Sequence, residues 1–422
     1  MTRSCLEPCG DVSCGWRRFR LVFLLDIVAH VAIRKDFLMK YRPFGKLDFH
    51  VSVLGFGAMR LPVLDGDHGK IDESQAEKLV CRAIDGGINY IDTAYVYHQG
   101  NSETFLGKIL HGERRNKVRI ATKLPCWQVK EYGDFDRLLN EQLDRLRTDH
   151  IDFYLLHSLM NRFWPRVRDL GILQWAEKAK QDGRIGHLGF SFHDKLDVFK
   201  SLIDEYPGWE FCQIQYNYMD IENQAGREGL RYAAARGIPV IVMEPVLGGN
   251  LVNPPPHVKP LFDAHPRGNT PADWAFQWLW DQPEVTMALS GMSTIEQLEE
   301  NLASADRSGT GSLTDADRSF IDRVRDRYLE KKPIPCTQCE YCMPCPHGVM
   351  IPMNLAIYND GLVFGNMEQA KGLYNHFYRK ETLAGACTQC MECLPKCPQQ
   401  IEIPDWMTRI HAALAETPPA QA

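Results

Sequence analysis

The sequence predicts an α/β protein: a (β/α)8 barrel followed by a small, mainly α-helical, cysteine-rich domain. Two observations carry this expectation. Eight short apolar runs alternate with helix-like segments over about 250 residues, the rhythm of a parallel barrel whose sheet is covered on both faces. Beyond them, eight of the 14 cysteines crowd into two tight clusters near the C-terminus.

The chain has 422 residues and a net charge of −6, with the apolar and charged content of a globular protein. It has no basic stripe, which argues against a nucleic-acid partner, and no apolar run long enough to cross a bilayer. Bunched cysteines are the pattern of metal ligation rather than of disulfides. They fit a reducing compartment, hence a cytoplasmic location.

Residues 1–38 read as an N-terminal extension. Arg17, Arg18 and Arg20 ahead of the apolar stretch 21–33 faintly resemble a twin-arginine export signal. Asp26 breaks that stretch, however, and no small-residue cleavage site follows. The preferred reading is a misassigned start, with Met39 as the true initiator. Cys5, Cys9 and Cys14 are too loosely spaced for a metal site and take no role.

The barrel is expected over 39–310. Residues 40–49, punctuated by Gly45, read as a hairpin that plugs its closed end. Strands are expected at 51–58, 88–93, 118–123, 151–156, 186–191, 211–217, 238–244 and 285–290. Helices are expected near 72–85, 101–110, 135–147, 172–182, 195–206, 227–236, 271–281 and 294–305. Gly86-Gly87, Gly183, Gly237-Ile238-Pro239 and Gln282-Pro283 mark joins. A doubly wound sheet is the alternative, weakened because residues 55–60 lack the third glycine of a dinucleotide fingerprint. Residues 311–332 read as a linking helix with Phe320, Ile321 and Val324 on one face. The cysteine domain is expected over 333–410, with helical periodicity across 353–379, and 411–422 as a flexible tail.

Three of the strands end in chemistry. The run through Ile88, Tyr90 and Ile91 delivers Asp92, with Tyr97 a few residues into the loop; the next strand ends in Lys123, and the one after it in His157. Barrel active sites gather at this C-terminal edge of the sheet. A tyrosine with an ordinary pKa near 10 is a poor acid at neutral pH. A neighbouring ammonium lowers that pKa, and a carboxylate holds the ammonium in place. Tyr97, Lys123 and Asp92 supply this set, and His157 would hydrogen-bond and orient a substrate oxygen. Alone, a strand-end Asp is more often a cap and a lone His a satisfied polar group; four such residues on successive strand ends point to a catalytic site.

Asp92, Tyr97, Lys123 and His157 resemble the catalytic tetrad of the aldo-keto reductases, and the resemblance extends over roughly residues 40–305. It implies NADP (or NAD) as cofactor and hydride transfer to or from a small carbonyl or alcohol substrate, with Tyr97 as general acid/base. Gly57, Ala58 and Met59 match the segment that borders the cofactor, and Ser191 and Gln213 match residues that bind the nicotinamide carboxamide. Asp92 and Pro245 also fall among the implied cofactor contacts. Ser293, Thr294, Gln297 and Asn301 lie in a stretch that resembles the adenosine-phosphate segment. There Ser293 and Glu296 read as a capping box, which aims a helix N-terminus at a phosphate.

The family pattern is departed from in places. Phe192 stands where an Asn usually follows the serine, Met243 where many members stack a tyrosine, and Gln297 where an arginine often meets the 2′-phosphate. Substrate specificity is expected in loops 125–135, 158–171 and 192–194. Trp127 and Trp164 either wall the pocket or pack elsewhere.

The bacterial ferredoxin run, three cysteines two residues apart and a fourth before proline, is met in full by Cys387, Cys390, Cys393 and Cys397. Cys336, Cys339, Cys342 and Cys345 fit it with one residue fewer before the fourth. Zinc is the alternative for paired thiolates. The expectation is one or two 4Fe-4S clusters. By the rule that the fourth cysteine of each run serves the other cluster, Cys336, Cys339, Cys342 and Cys397 hold one, and Cys387, Cys390, Cys393 and Cys345 the other.

The pairing of modules resembles a family of predicted oxidoreductases in which an aldo-keto reductase barrel carries a ferredoxin-type domain. It implies an NAD(P)-dependent enzyme whose clusters exchange electrons with a one-electron carrier protein or serve structure. A hydride moves two electrons and a cluster accepts one, so direct relay would need a carrier such as a flavin, for which no motif is present. The competing class is a non-catalytic nucleotide-sensing or redox-scaffold protein.

Overall fold

The computed structural model describes residues 37–416. Residues 1–36, with the arginine-rich stretch and the first three cysteines, and residues 417–422 lie outside the described residues.

Two short antiparallel strands come first, β1 (Tyr41–Pro43) and β2 (His50–Ser52). They form the expected hairpin, with one correction: residues 51 and 52, expected to open the first barrel strand, belong to the hairpin. The break has a local cause. The Ser52 hydroxyl donates to the Leu54 carbonyl at 2.7 Å, and the Ser52 N–H donates to the Asn89 side chain at 2.9 Å. Neither group continues the ladder.

The barrel strands are β3 (Leu54–Gly57), β4 (Tyr90–Asp92), β5 (Arg119–Pro125), β6 (Ile151–Leu159), β7 (Ile185–Phe192), β8 (Phe211–Gln215), β9 (Val240–Met243) and β10 (Val285–Ser290). All pair in parallel, and β10 pairs back onto β3 to close the barrel, which disposes of the doubly wound alternative. Between the strands run α1 (Glu73–Asp85), α2 (Asn101–Ile109), α3 (Gly133–Leu146), α4 (Ile172–Gln181), α5 (Leu196–Glu205), α6 (Gly226–Ala235), α7 (Pro271–Trp280) and α8 (Ile295–Asp306). Local chemistry sets their starts. The Asp72 side chain accepts from Gln75 N–H at 3.1 Å ahead of α1, and Thr270 caps α7 with Pro271 at its first position. At Gly107 a Cβ would meet the Arg145 carbonyl oxygen at 2.3 Å, so only glycine lets α2 approach α3 that closely.

One end of the barrel is plugged. Phe44 from the hairpin packs its ring 5.0 Å from Phe153 and 5.8 Å from Phe211, in one buried cluster with Tyr90, Ile241 and Met287. Each fully buried apolar side chain of this kind contributes about 1.5–3 kcal/mol. With the N-terminal end filled, a ligand can enter only at the C-terminal edge of the strands.

The linking helix is α9 (Asp315–Leu329), opened by a capping box of Thr314 and Asp317. Phe320, Ile321 and Val324 are buried, as their spacing requires. They pack with Phe262 and Trp274 of the barrel and with Val363 and Phe364 of the next helix. The helix is therefore a packed strut and no loose tether. Beyond it α10 (Ile351–Val363), α11 (Met367–Gly372) and α12 (Ile403–Leu414) enclose a second core of Ile334, Leu355, Tyr374, Met407 and Ile410, among others. The periodic stretch 353–379 is not one helix. Gly365 at φ +66° follows the end of α10, and the Asn366 side chain caps α11. The tail expected from 411 begins later, because Leu414 is fully buried at the end of α12. Among the described residues no helix is long and apolar enough to cross a membrane.

Candidate active site and cysteine sites

The ends of β4, β5 and β6 bring three charged or polar groups to one point. Register sets this: Asp92 pairs with Ala121 across β4–β5, and His157 lies opposite Pro125 across β5–β6. Lys123 Nζ lies 2.5 Å from Asp92 Oδ1, 2.7 Å from the Thr93 carbonyl oxygen and 3.4 Å from the Tyr97 hydroxyl. Asp92 and Lys123 are each 1% exposed. The Tyr97 ring meets the His157 ring edge-on at 6.2 Å between centroids, and Trp127 lies 5.0 Å from His157 on another side. All four residues of the expected set therefore converge. Trp127 stands at this site, whereas Trp164 packs on Trp209 outside it and donates to Glu205.

A polar scaffold lies beneath the lysine. Glu103 of α2 accepts from Thr122 at 2.6 Å and from Gln142 at 2.7 Å, and Gln142 also donates to the Lys123 carbonyl at 3.1 Å. Tyr154 donates to Gln142 at 2.7 Å. These residues were not picked out from the sequence. A Glu within the buried stripe of α2 was the available signal.

Electrostatics correct one expectation. Burial pushes the Tyr97 phenol above its ordinary pKa of 10; Lys123 pulls it down and Asp92 pushes it up, but burial outweighs the ammonium. The proximity of Lys123 alone does not make the phenol acidic. Burial likewise raises the Asp92 carboxyl against the pull of Lys123. Burial, Lys123 and His193 together hold His157 well below 6.5, so its imidazole is neutral at physiological pH. His193 is held down by burial too, while the nearby Gln224 side chain opposes that.

A cleft of about 400 Å³ extends from Asp92, Tyr97 and His157 across the barrel mouth. Of the expected cofactor contacts, Gly57, Met59, Gln213, Pro245, Ser293, Gln297 and Asn301 line it. Gln213 Oε1 is buried and has no hydrogen-bond partner among the described residues, so an amide donor entering the cleft would satisfy it. Three expected contacts do not line this cleft. Ala58 is fully buried; Ser191 spends its hydroxyl accepting from Ser158 N–H at 2.9 Å; Thr294 is occupied as a helix cap. This last point also moves the capping motif. Thr294, not Ser293, caps α8, and Ser293 donates to the Arg60 carbonyl at 2.7 Å while its N–H meets the Gln297 side chain at 2.8 Å. The start of α8 still borders the cleft.

The eight clustered cysteines line two cavities of the C-terminal domain. Cys336, Cys339, Cys342 and Cys397 share one with Ile401 and Pro398. Cys345, Cys387, Cys390 and Cys393 share the other, which Cys342 also borders. The same grouping governs the thiol electrostatics. Burial, then Cys339 and Cys397, raise Cys336; burial, then Cys387, Cys390 and Cys345, raise Cys393. The fold thus places Cys397 beside the first run and Cys345 beside the second, with Cys342 bordering both cavities.

The backbone repeats as well. Gln338 and Glu340 in the first loop, and Gln389 and Met391 at the equivalent places in the second, have φ between +55° and +65°. Non-glycine residues seldom adopt this conformation, and alternating it turns successive N–H groups inward as an anion-binding nest. One such group, Gln338 N–H, donates to Cys336 Sγ at 3.4 Å. Two matching loops with inward N–H groups suit cluster sulfurs.

Residues 53–310 match the model of the aldo/keto reductase family. The chain belongs to the aldo/keto reductase family. It is accordingly an oxidoreductase by family, and residues 335–402 match a 4Fe-4S dicluster domain. L-galactose dehydrogenase of Arabidopsis thaliana is 28% identical over 286 residues, covering 63% of this chain and 88% of that protein. The NADH-specific methylglyoxal reductase of Escherichia coli is 26% identical over 337 residues, covering 68% and 99%. The aldo-keto reductase AKR11C1 of Bacillus halodurans, in its holo form, superposes with a TM-score of 0.57 at 28% identity, over 68% of this chain and 96% of that one. None of these three similarities covers more than 68% of this chain.

Proposed function

We propose that this reductase interconverts a carbonyl compound and its alcohol using a nicotinamide nucleotide, with Tyr97 as general acid/base. One observation carries the reading: Asp92, Lys123, Tyr97 and His157 meet at the mouth of a cleft whose wall holds the orphaned amide oxygen of Gln213. NADP or NAD, when bound there, supplies or takes the hydride. The chain does the rest. Neutral His157 donates to the substrate oxygen and fixes its place, and Tyr97 delivers a proton to that oxygen during reduction. Lys123 takes part in moving that proton, and Asp92 keeps the lysine charged and aimed. Trp127, beside His157, closes one side of the substrate position.

Cys336, Cys339, Cys342 and Cys397 would hold one 4Fe-4S cluster and Cys345, Cys387, Cys390 and Cys393 the other. Such clusters carry single electrons and would suit exchange with a one-electron carrier protein, or would act as structural staples. A reducing, cytoplasmic setting agrees with the free thiols.

Tyr97→Phe tests the acid. The expected result is a fall in kcat of about 10²–10⁴-fold with nucleotide affinity nearly unchanged, the scale of general acid–base catalysis. A phenylalanine variant that keeps most of its kcat would sink the assignment. Failure of the intact chain to turn over any aldehyde would favour a nucleotide-sensing role instead.

A further inference from the structure

A second and larger space, of about 1340 Å³, opens beside the nucleotide cleft and shares Arg60, His193, Glu244 and Gly248 with it. Its near side is the barrel, through Asp194 after β7 and through Asp220, Asn223 and Gln224 after β8. Its far side is the cysteine domain, through loop 336–340 and through Ala356 and Asn359 of α10. The two sides are tied together, because Lys195 Nζ pairs with Glu340 Oε2 at 2.5 Å. That bond joins the segment after β7 to the left-handed turn of the first cysteine loop. Small-molecule pockets usually measure about 300–1,000 Å³, so a simple aldehyde would leave most of this chamber empty.

The lining is built for hydroxyl groups. It carries six carboxylates against four lysine or arginine side chains, which disfavours an anion, and several amides. Carboxylate and amide oxygens need O–H or N–H donors. A relay of amides makes the need specific. Gln215 donates to Asp220 at 3.0 Å, and Gln224 donates to Gln215 Oε1 at 2.9 Å. The relay stops at Gln224 Oε1, which is buried with no partner among the described residues. Glu244, at the junction of the two cavities, holds φ +55°, a strained conformation for a residue with a Cβ.

We propose that this chamber is the subsite for the hydroxyl-bearing body of a neutral polyhydroxylated substrate, sugar-like in class, and that the cysteine domain forms its far wall. The proposal rests on the reductase reading above. In the oxidative direction the carbinol carbon gives its hydride to NAD(P)+ and the hydroxyl proton passes through Tyr97 to solvent, leaving the carbonyl compound, NAD(P)H and one proton. The reverse reaction consumes them. The cysteine domain acts here as a wall of the substrate site, whatever electrons it also carries.

The test uses the anaerobically purified, iron-loaded full chain. The probes are D-glucose and D-galactose with NAD(P)+, D-glucose 6-phosphate as the anionic counterpart, and benzaldehyde with NAD(P)H. At least one neutral sugar should saturate the enzyme, and the phosphate should be at least about tenfold poorer in kcat/KM. Gln224→Leu should raise the sugar KM by about tenfold or more while benzaldehyde turnover stays within about twofold, because only the larger ligand reaches that amide. Asn223→Ala, at an exposed position, guards against misfolding of the first variant and should act in the same direction. Glu340→Ala should weaken the sugar selectively, through the freed loop. Benzaldehyde turnover without any neutral-sugar turnover overturns the proposal, as does preference for the phosphate or an unchanged sugar KM in both Gln224→Leu and Asn223→Ala. If benzaldehyde and nucleotide both fail, the reductase reading falls. Calorimetric titration of each neutral sugar into wild type and Gln224→Leu then decides the chamber alone: weaker binding in the variant supports it, and equal or absent binding overturns it.

Discussion

Lys123 and Asp92 form an ion pair at 2.5 Å in which both side chains are 1% exposed. The pair is worth more to position than to stability, since desolvation offsets most of the attraction between two buried charges. Breaking it is another matter. Asp92→Asn keeps the shape and leaves the ammonium with the Thr93 carbonyl and a long contact to Tyr97. The expected loss is about 3–5 kcal/mol of stability, read as a lower midpoint in urea with an unchanged slope. A variant as stable as wild type would mean that Lys123 loses its proton when its partner is removed.

The pH dependence follows from burial. His157 sits well below 6.5 and Tyr97 above 10, so neither titrates near neutrality. Reduction, which needs a protonated phenol, should show no acid limb near the ordinary histidine value of about 6.5 and no alkaline loss before about pH 9. Oxidation, which needs the phenolate, should keep rising through that range. The same histidine shapes stability. Its folded pKa is depressed, so the unfolded chain binds the proton first; the contribution is complete above the unfolded value and is lost as pH falls through about 6.5. Denaturation of wild type against His157→Gln should therefore diverge below about pH 6.5, by at most about 1.4 kcal/mol per pH unit. Parallel curves would show that His157 binds its proton equally well folded and unfolded, so that burial does not depress it.

Much of this site could be read in the sequence because barrel strands announce their own ends. A buried apolar run such as 88–91 must stop where a charge appears, and in a barrel that stop is the mouth; Asp92, Lys123 and His157 were found in that way. Asp220, Gln224 and Glu244 could not be. They lie in loops without periodicity, and the chamber they line is closed only when the cysteine domain packs back onto the barrel through α9. Ser293 and Thr294 show the limit of local reading: adjacent hydroxyl residues both satisfy a capping pattern, and only backbone geometry decides between them. The cysteine groups were legible for the opposite reason. Spacing fixes loop geometry so tightly that Gln338 and Gln389, each two residues after the first cysteine of its run, occupy equivalent left-handed places.

Crossed ligation makes a prediction about pairs of substitutions. Cys397 lines the cavity of Cys336, Cys339 and Cys342, although it belongs to the second run. Cys397→Ala should remove about half the iron. Adding Cys336→Ala should remove little more, because both act on one cluster, whereas adding Cys345→Ala should strip the protein. Iron and sulfide counts on anaerobically purified protein measure this. Loss of both clusters in the double variant of Cys397 and Cys336 would assign the fourth cysteines to their own runs; the double variant of Cys397 and Cys345 is the control that empties both sites under either assignment.

The clusters should be separable from the hydride chemistry. Asp92, Tyr97, Lys123 and His157 all stand on barrel strands or the loops that leave them, and the cysteines that ligate begin only after α9. Cys390 and Cys393 line the cavity of the second run, which does not border the chamber beside the nucleotide cleft. Replacing both by Ala should abolish the visible absorption of that cluster. NAD(P)H-dependent reduction of benzaldehyde should stay within about tenfold of wild type, or 1.4 kcal/mol of barrier. Any activity with an external one-electron carrier should fall to background, since one cluster of the pair is gone. Stability is the confounder, because metal binding is folding energy for a small cysteine-rich core, and here that core packs against α10 and, through it, against the strut α9. Far-ultraviolet circular dichroism and the thermal midpoint must first show the barrel intact. An intact barrel that has lost all NAD(P)H-linked turnover would mean that electrons or packing couple the two modules directly, and the separation argued from the strand ends would fail.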